Sequence, residues 1–161
     1  MHEDIKSTMM YHTHLAFGLL FSLVSLYFIH PTNKYVFIAI VLIAALLPDA
    51  DHEKSKINST IPGLKLVSKV FGHRGLLHSV WIPLCLWLII YFGFHSSYGI
   101  AVFIGYLSHL FSDGLTKMGI NMIHPLNQLR IQGFIETGSV AEHLVFLFVG
   151  VVCFILVLKL V

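Results

Sequence analysis

Charged residues are scarce in this chain of 161 residues. Asp, Glu, Lys and Arg make up 11% of it, whereas 57% of the residues are hydrophobic, and soluble domains carry roughly a quarter charged residues. A soluble fold cannot hide that much apolar surface, so the composition argues against an ordinary soluble domain and predicts an integral membrane protein in a lipid bilayer. The net charge is +2 without a basic block, which argues against nucleic acid as a partner.

Cysteine is nearly absent. Cys85 and Cys153 each lie in an apolar run, so the chain has no disulfide framework and no CxxC metal motif. A secretory signal peptide is also not expected, because the first eleven residues are rich in charge and no small-residue cleavage site follows the first apolar run. That run is therefore predicted to be a retained helix. The abundant polar residue is histidine, with 11 copies against 10 of Lys and Arg together.

Apolar runs separated by turns and polar loops predict an all-α membrane bundle of about five transmembrane helices. The length suits one domain, residues 1–161. The predicted helices are residues 13–29, 35–48, 76–94, 98–116 and 140–161. The second run has only 13 apolar residues, fewer than the roughly 20 that a hydrocarbon core requires, and its full crossing is left open. The oligomeric state is not predicted.

Basic residues are distributed unevenly between the two faces of such a bundle. If the helices alternate in direction, the N-terminus and the two long polar loops share one face. That face carries eight of the ten Lys and Arg residues. Because positively charged loops tend to stay in the cytoplasm, the N-terminus is predicted to be cytoplasmic and the C-terminus to lie outside.

Residues 105–116 place polar groups in a helix that is otherwise suited to lipid. His109 and Asp113 are four residues apart, so on a helix they share one face. Such groups are costly in a membrane unless something compensates them. A bound metal ion is one compensation, and a buried His–Asp hydrogen bond that pins two helices together is the other. Ser108 and Ser112 are expected to bond back within the helix.

The predicted topology brings acids and imidazoles from all five helices to the cytoplasmic end. Six of these residues are predicted metal ligands: His14, Asp51, His73, His78, His109 and Asp113. Nitrogen and oxygen donors without cysteine suit a divalent metal, with zinc the first expectation and manganese or iron the alternatives. The set is larger than one tetrahedral ion requires, which favours two ions.

Three further residues at the same end are assigned catalytic roles. Paired metal ions bind a phosphoryl oxygen and prepare water for attack, so metal-bound water is the expected nucleophile. Asp49 is predicted to be a further ligand or to take the proton from that water. Arg74 is predicted to bind the anionic group of the substrate. Glu142 is predicted to be a ligand or base, although the dipole of its helix would favour an acid at this position in any case.

At these residues the sequence resembles the YdjM-type inner-membrane proteins, a family whose members are predicted to be metal-dependent hydrolases. The resemblance implies the plasma membrane of a bacterium or archaeon. It covers nearly the whole chain and rests on these motifs, in order: Thr13–His14, Leu47–His52, His73–Ser79, Gly105–His109 with Asp113 and Thr116, and Thr137–Ser139 with Glu142.

A more distant likeness is to zinc-dependent phospholipase C. There His109 and Asp113 would take the places of an HxxxD pair, with Asp51, His73 and Glu142 as further matches. Those enzymes usually carry three zinc ions, and this sequence departs from them because it lacks a full third set of ligands. The likeness is an analogy at the level of the fold.

The function expected from the sequence is a membrane-embedded metal-dependent hydrolase that cleaves a phosphoester of a lipid or of another membrane-associated substrate. A metal-ion carrier or channel is an alternative. It would need ligands along a path to both faces, and the far face offers only His30 and His95. A further alternative is a non-enzymatic scaffold whose polar groups only lock helices together.

Overall fold

The computed structural model describes residues 9–51, 76–94, 96, 98–127 and 130–160. Within these ranges the chain is helical and forms no β-strand longer than an isolated bridge. The predicted all-α class and the number of helices are therefore confirmed for this part of the chain. Its five α-helices are α1 (Tyr11–Ser25), α2 (Lys34–Ala44), α3 (Trp81–Leu88), α4 (Gly99–Gly114) and α5 (Val140–Leu160).

Short helical turns extend two of these elements. A 3₁₀ helix, Leu47–Asp51, follows α2, and a second, Leu76–His78, comes before α3. A π-helical turn, Ile89–Gly93, continues α3. The end of the second predicted helix and the start of the third are therefore 3₁₀ turns and not regular α-helix. Both turns carry polar residues of the predicted site.

One helix in the described part of the chain is long and apolar enough to cross a membrane. It is α5, whose 21 residues have a hydropathy of 2.7 and extend about 31 Å at 1.5 Å per residue. The helices α1, α2 and α4 have 15, 11 and 16 residues, which is less than the roughly 20 needed for a 30 Å core. The prediction of five full crossings is therefore not confirmed.

The helices α1, α2 and α4 pack closely because small residues lie where they cross. A Cβ atom added at Gly105 of α4 would collide with the Val41 carbonyl oxygen and lie 2.7 Å from the Ala44 Cβ of α2. A Cβ added at Gly18 of α1 would lie 3.0 Å from the Ala45 Cβ. Backbones that approach this closely gain van der Waals contact, which is the main source of helix association in lipid.

The loop between α4 and α5 folds back over the end of α4. Thr116 and Ile135 form one isolated bridge, and Ile120 and Ile131 form another. The same loop reaches the segment before α3, because the Val80 N–H donates to the Met122 carbonyl at 2.9 Å. These bonds place the 3₁₀ helix that contains His78 beside the end of α4.

Replacing Gly105 by Ala is expected to destabilise the protein, because the added methyl group would force α4 away from α2. Overpacking of this kind costs about 1–3 kcal/mol. The measurement is the thermal unfolding midpoint of purified protein in detergent. Gly150→Ala is the matched control, since a Cβ there meets nothing within 4 Å. An unchanged midpoint for Gly105→Ala would contradict the close crossing.

Candidate metal centre

Five polar side chains from four segments meet at one end of the bundle, and we call them the His–Asp cluster. Each of its three imidazole Nε2 atoms lies 3.6 Å from an oxygen of Asp113. The same three atoms lie 3.6 to 3.9 Å from an oxygen of Asp49. The cluster thus joins the start of α1, both 3₁₀ helices and the last turns of α4. Its members are His14, Asp49, His78, His109 and Asp113.

The inward-facing atoms of the cluster are buried and unpaired. Distances of 3.6 Å and more are too long for hydrogen bonds. The Nε2 atoms of His14, His78 and His109 have no hydrogen-bond partner, and neither does Oδ2 of Asp113. Buried polar atoms are normally paired because each unpaired one costs free energy. Nitrogen and oxygen lone pairs facing a shared centre are the arrangement that a cation satisfies, so these residues fit a metal ion.

Hydrogen bonds outside the cluster fix the proton on two of the imidazoles. Nδ1 of His109 lies 2.8 Å from the Ala45 carbonyl oxygen, which can only accept, so Nδ1 carries the proton. Nδ1 of His14 lies 2.7 Å from the Ser112 hydroxyl, whose own proton goes to the His109 carbonyl at 2.9 Å. Nδ1 of His14 therefore also carries the proton and donates it to the Ser112 hydroxyl oxygen. In both rings the Nε2 lone pair is left facing the centre, as metal binding requires.

Further contacts hold the cluster in position. The rings of His14 and His109 stack with centroids 3.9 Å apart and an angle of 13° between their planes. Oδ1 of Asp113 accepts from the Met9 N–H at 3.4 Å. The Tyr106 hydroxyl donates to the Leu77 carbonyl at 2.6 Å, which fixes the turn that carries His78. The imidazoles of His14 and His109 are thus oriented before any ligand arrives.

Asp49 lies on the accessible side of the cluster. Its side chain is 23% exposed, whereas that of Asp113 is fully buried. An aspartate carboxyl, with an ordinary pKa of about 3.9, is ionised at neutral pH. The group is therefore an anion that can bind a cation. From the sequence, Asp49 was predicted to be a further ligand or to take a proton from water, and the structure groups it with the candidate ligands.

The geometry describes one metal position among the described residues. Two triads have donor atoms close enough to hold an ion, His14–Asp49–His109 and His78–His109–Asp113. They share His109, whose Nδ1 already binds a carbonyl, so its single free nitrogen serves one ion. Three nitrogen and two oxygen donors without sulfur suit zinc, manganese or iron. A second ion stays a prediction.

Three predicted site residues lie beyond what the structure describes. His73 and Arg74 fall in the segment 52–75, outside the described residues. Asp51 ends the first 3₁₀ helix, but its side chain is not described. Their roles as ligands and anion clamp stay predictions.

Glu142 is buried at the junction of α1 and α5. Its carboxylate accepts from the Met10 N–H at 2.7 Å, the Thr13 hydroxyl at 3.1 Å and the Gly138 N–H at 2.6 Å. These bonds attach the start of α5 to the residue before His14. Glu142 is not in either triad, and its role as a ligand or base stays a prediction.

The residues that orient the imidazoles of His14 and His109 were not predicted from the sequence. Ser112 does bond back to its own helix, as expected, and its contact with His14 was not foreseen. The Ala45 carbonyl leaves no trace in the sequence, because every residue has one. The available signal for Ser112 was its spacing, three residues after His109 and one before Asp113.

The fold and the cluster define a helical protein with a candidate metal centre and one helix that could span a membrane. The family model described as YdjM inner membrane protein matches residues 9–160, so the chain belongs to the YdjM family. An uncharacterized protein of Bacillus subtilis, YvsG, is 38% identical over 111 residues, which cover 64% of this chain and 66% of YvsG.

Inner membrane protein YdjM of Escherichia coli is 32% identical over 91 residues, which cover 52% of this chain and 46% of that protein. The match to YdjM of Shigella flexneri has the same extent. This chain therefore matches about half to two thirds of the length of these relatives. No solved structure matches it, and the comparisons do not support the likeness to zinc-dependent phospholipase C.

The purified protein is expected to contain zinc, manganese or iron. If the His–Asp cluster is the one site occupied, the content should be about one ion per chain. Asp113→Asn and His109→Ala should remove that metal, because the first removes the negative charge of a ligand and the second removes a donor nitrogen. Elemental analysis of protein in detergent measures the content. His30→Ala, at an exposed imidazole after α1, is the control that should retain it. Metal at wild-type level in Asp113→Asn and His109→Ala would contradict the assignment.

Ser112→Ala is expected to weaken metal binding by about 10–100-fold, the usual effect of losing the outer partner of a metal-binding imidazole. The control is Ser108→Ala. The Ser108 hydroxyl makes the equivalent bond to the Gly105 carbonyl at 2.7 Å, one turn further from the cluster. Affinities come from competition with a chromophoric chelator. Equal affinities in the two variants would show that Ser112 does not orient His14.

Proposed function

We propose that this protein is a membrane-embedded metal-dependent hydrolase that acts on a phosphoester of a membrane lipid or of another membrane-associated molecule. One observation carries the proposal: three imidazole nitrogens and two carboxylates meet in one centre. The three nitrogens and one oxygen of Asp113 are buried without hydrogen-bond partners, and Asp49 is partly exposed. A catalytic centre needs such donors together with access for a substrate. The partly exposed Asp49 shows on which side a substrate could reach the centre.

The unpaired atoms argue against a purely structural lock. A His–Asp pair that only joined helices would make short hydrogen bonds, because that is where its stabilising energy lies. In the cluster the corresponding distances are 3.6 to 3.9 Å. The hydrogen bonds are instead made by the outer Nδ1 atoms of His14 and His109, which favours a centre that holds a ligand.

A metal-ion carrier is supported less well. A transport path needs donor groups at several depths between the two faces. In the described ranges, the groups that could hold a metal form one cluster at one end. His30, toward the other end, is exposed in a turn. A fixed site at one end suits chemistry on a bound substrate better than passage of an ion.

The roles of the residues follow from their positions. His14, His78, His109 and Asp113 would hold the cation, and a bound divalent cation would polarise a phosphoryl oxygen and lower the pKa of water. Asp49, which is ionised and partly exposed, can accept a proton at its carboxylate. Arg74, outside the described residues, is proposed to bind the substrate phosphate.

We also propose that the chain crosses the bilayer several times, with its metal centre on the cytoplasmic side. The support is the excess of Lys and Arg in the segments expected on that side. A phosphoester in the cytoplasmic headgroup layer would then be within reach of the cluster.

The test is hydrolysis by purified protein in vesicles that present one class of glycerophospholipid at a time, with release of phosphate or headgroup measured. Activity is expected to disappear with EDTA and return with zinc, manganese or iron(II). Asp113→Asn should lower it by more than the roughly 10–100-fold caused by outer-shell changes. His30→Ala should leave it unchanged.

Each alternative has its own signature in the same vesicles. A carrier would move metal ions across the bilayer without hydrolysing lipid. A scaffold would do neither, and His109→Ala would then lower the thermal unfolding midpoint without affecting any reaction. Either result, with wild-type protein inactive across the lipid classes and metals, would overturn the proposed function.

A further inference from the structure

An apolar groove of about 540 Å³ runs between α1 and α5, beside α2. Nine of its ten lining residues are apolar, and the exception is His12 at the start of α1. On α5 the groove extends from Phe146 to Val157. It lies on a different side of α1 from the metal centre, because His12 and His14 are two residues apart on a helix.

Gly150 lies in the groove lining and has no packing reason to be glycine. Glycine is among the least favourable residues in a helix interior, and Gly150 is in the middle of α5. At Gly105 the close approach of a neighbouring backbone explains the missing side chain. At Gly150 an added Cβ would meet nothing within 4 Å. The missing side chain therefore leaves the groove open along α5.

The surroundings of the groove determine what can occupy it. The helix α5 is the one described helix that is long and apolar enough to cross a membrane, and Phe154 of the lining is 64% exposed. The groove therefore opens toward the hydrocarbon layer. An extended peptide there would leave its backbone N–H and C=O groups unpaired, whereas a hydrocarbon chain needs no polar partner.

The length of the groove fits one leaflet. From Phe146 to Val157 the helix rises about 16 Å at 1.5 Å per residue. This is close to half of the roughly 30 Å thickness of a hydrocarbon core. A single lipid chain reaching from the headgroup layer to the bilayer midplane would match this distance.

The polar end of the groove coincides with the end of the bundle that holds the metal centre. His12 precedes His14 by two residues, and its ring centroid lies 6.4 Å from that of His143 at the start of α5. A lipid oriented with its headgroup at this end would keep polar groups together and place its chain along Gly150.

We propose that this groove binds one acyl chain of a glycerophospholipid, with the headgroup end at His12 and the terminal methyl end near Val157. The inference deepens the proposed function, on which it rests for the lipid nature of the substrate. Its test reports binding and not turnover, so the two can fail separately.

The experiment uses full-length protein in phosphatidylglycerol vesicles that contain a trace of the same lipid with a photoactivatable group on one acyl chain. In one probe the group is near the glycerol, and in the other it is near the chain end. After illumination, mass spectrometry maps the labelled residues. The first probe is expected to label α5 near Phe146 and the second near Val157.

Gly150→Leu should fill the groove and lower both labels by about tenfold, because the chain loses its apolar contact area. Val151→Leu is the matched control. Val151 is the next residue on α5, is 59% exposed and does not line the groove, so labelling should be unchanged. Thermal unfolding is measured for each variant, and Gly150→Val replaces Gly150→Leu if that protein does not fold.

Three results would overturn the proposal: labels spread evenly around α5, equal labelling in Gly150→Leu and wild type, or cross-linking that shows a second copy of α5 in the groove. Labelling that follows the expected pattern in a protein that hydrolyses no lipid would support the groove and count against the proposed hydrolase. If the wild-type protein hydrolyses lipid but Gly150→Leu and wild type are labelled equally, the result would count against the proposed groove and not against the proposed hydrolase.

Discussion

Three imidazole nitrogens and a carboxylate oxygen are buried without hydrogen-bond partners at the centre of the His–Asp cluster, and much of the structure is arranged around them. Each such atom costs on the order of 1–3 kcal/mol when it is left unpaired. A bound cation would offset this cost, because it would take the lone pairs that hydrogen bonds do not. Four segments that are far apart in the chain meet at that shared centre.

The surrounding fold keeps the donors oriented toward one point. The close crossing at Gly105 brings α4 against α2, so His109 can reach the Ala45 carbonyl. Glu142 attaches α5 to the start of α1, next to His14. These contacts act from outside the cluster and, with the Ser112 hydroxyl, orient the imidazoles of His14 and His109. A preoriented donor set loses less conformational entropy when it binds a ligand.

Much of the fold and part of the site could be predicted from local patterns. Apolar runs locate the helices, and the spacing of four between His109 and Asp113 places both on one face. What could not be predicted depends on contacts across the chain. Asp49 was predicted at this end of the bundle, but its contacts with the imidazoles depend on the 3₁₀ helix that follows α2, and Ala45 contributes a backbone oxygen. The open groove at Gly150 likewise depends on which helix lies beside α5, information that no local pattern contains.

X-ray absorption spectroscopy at the metal edge of the loaded protein tests whether the His–Asp cluster binds the ion, because it reports the donor atoms themselves. We expect a shell of nitrogen and oxygen at about 2.0–2.2 Å, with the outer-shell scattering of more than one imidazole and no sulfur. A sulfur shell at about 2.3 Å, or a nitrogen and oxygen shell without imidazole scattering, would contradict it.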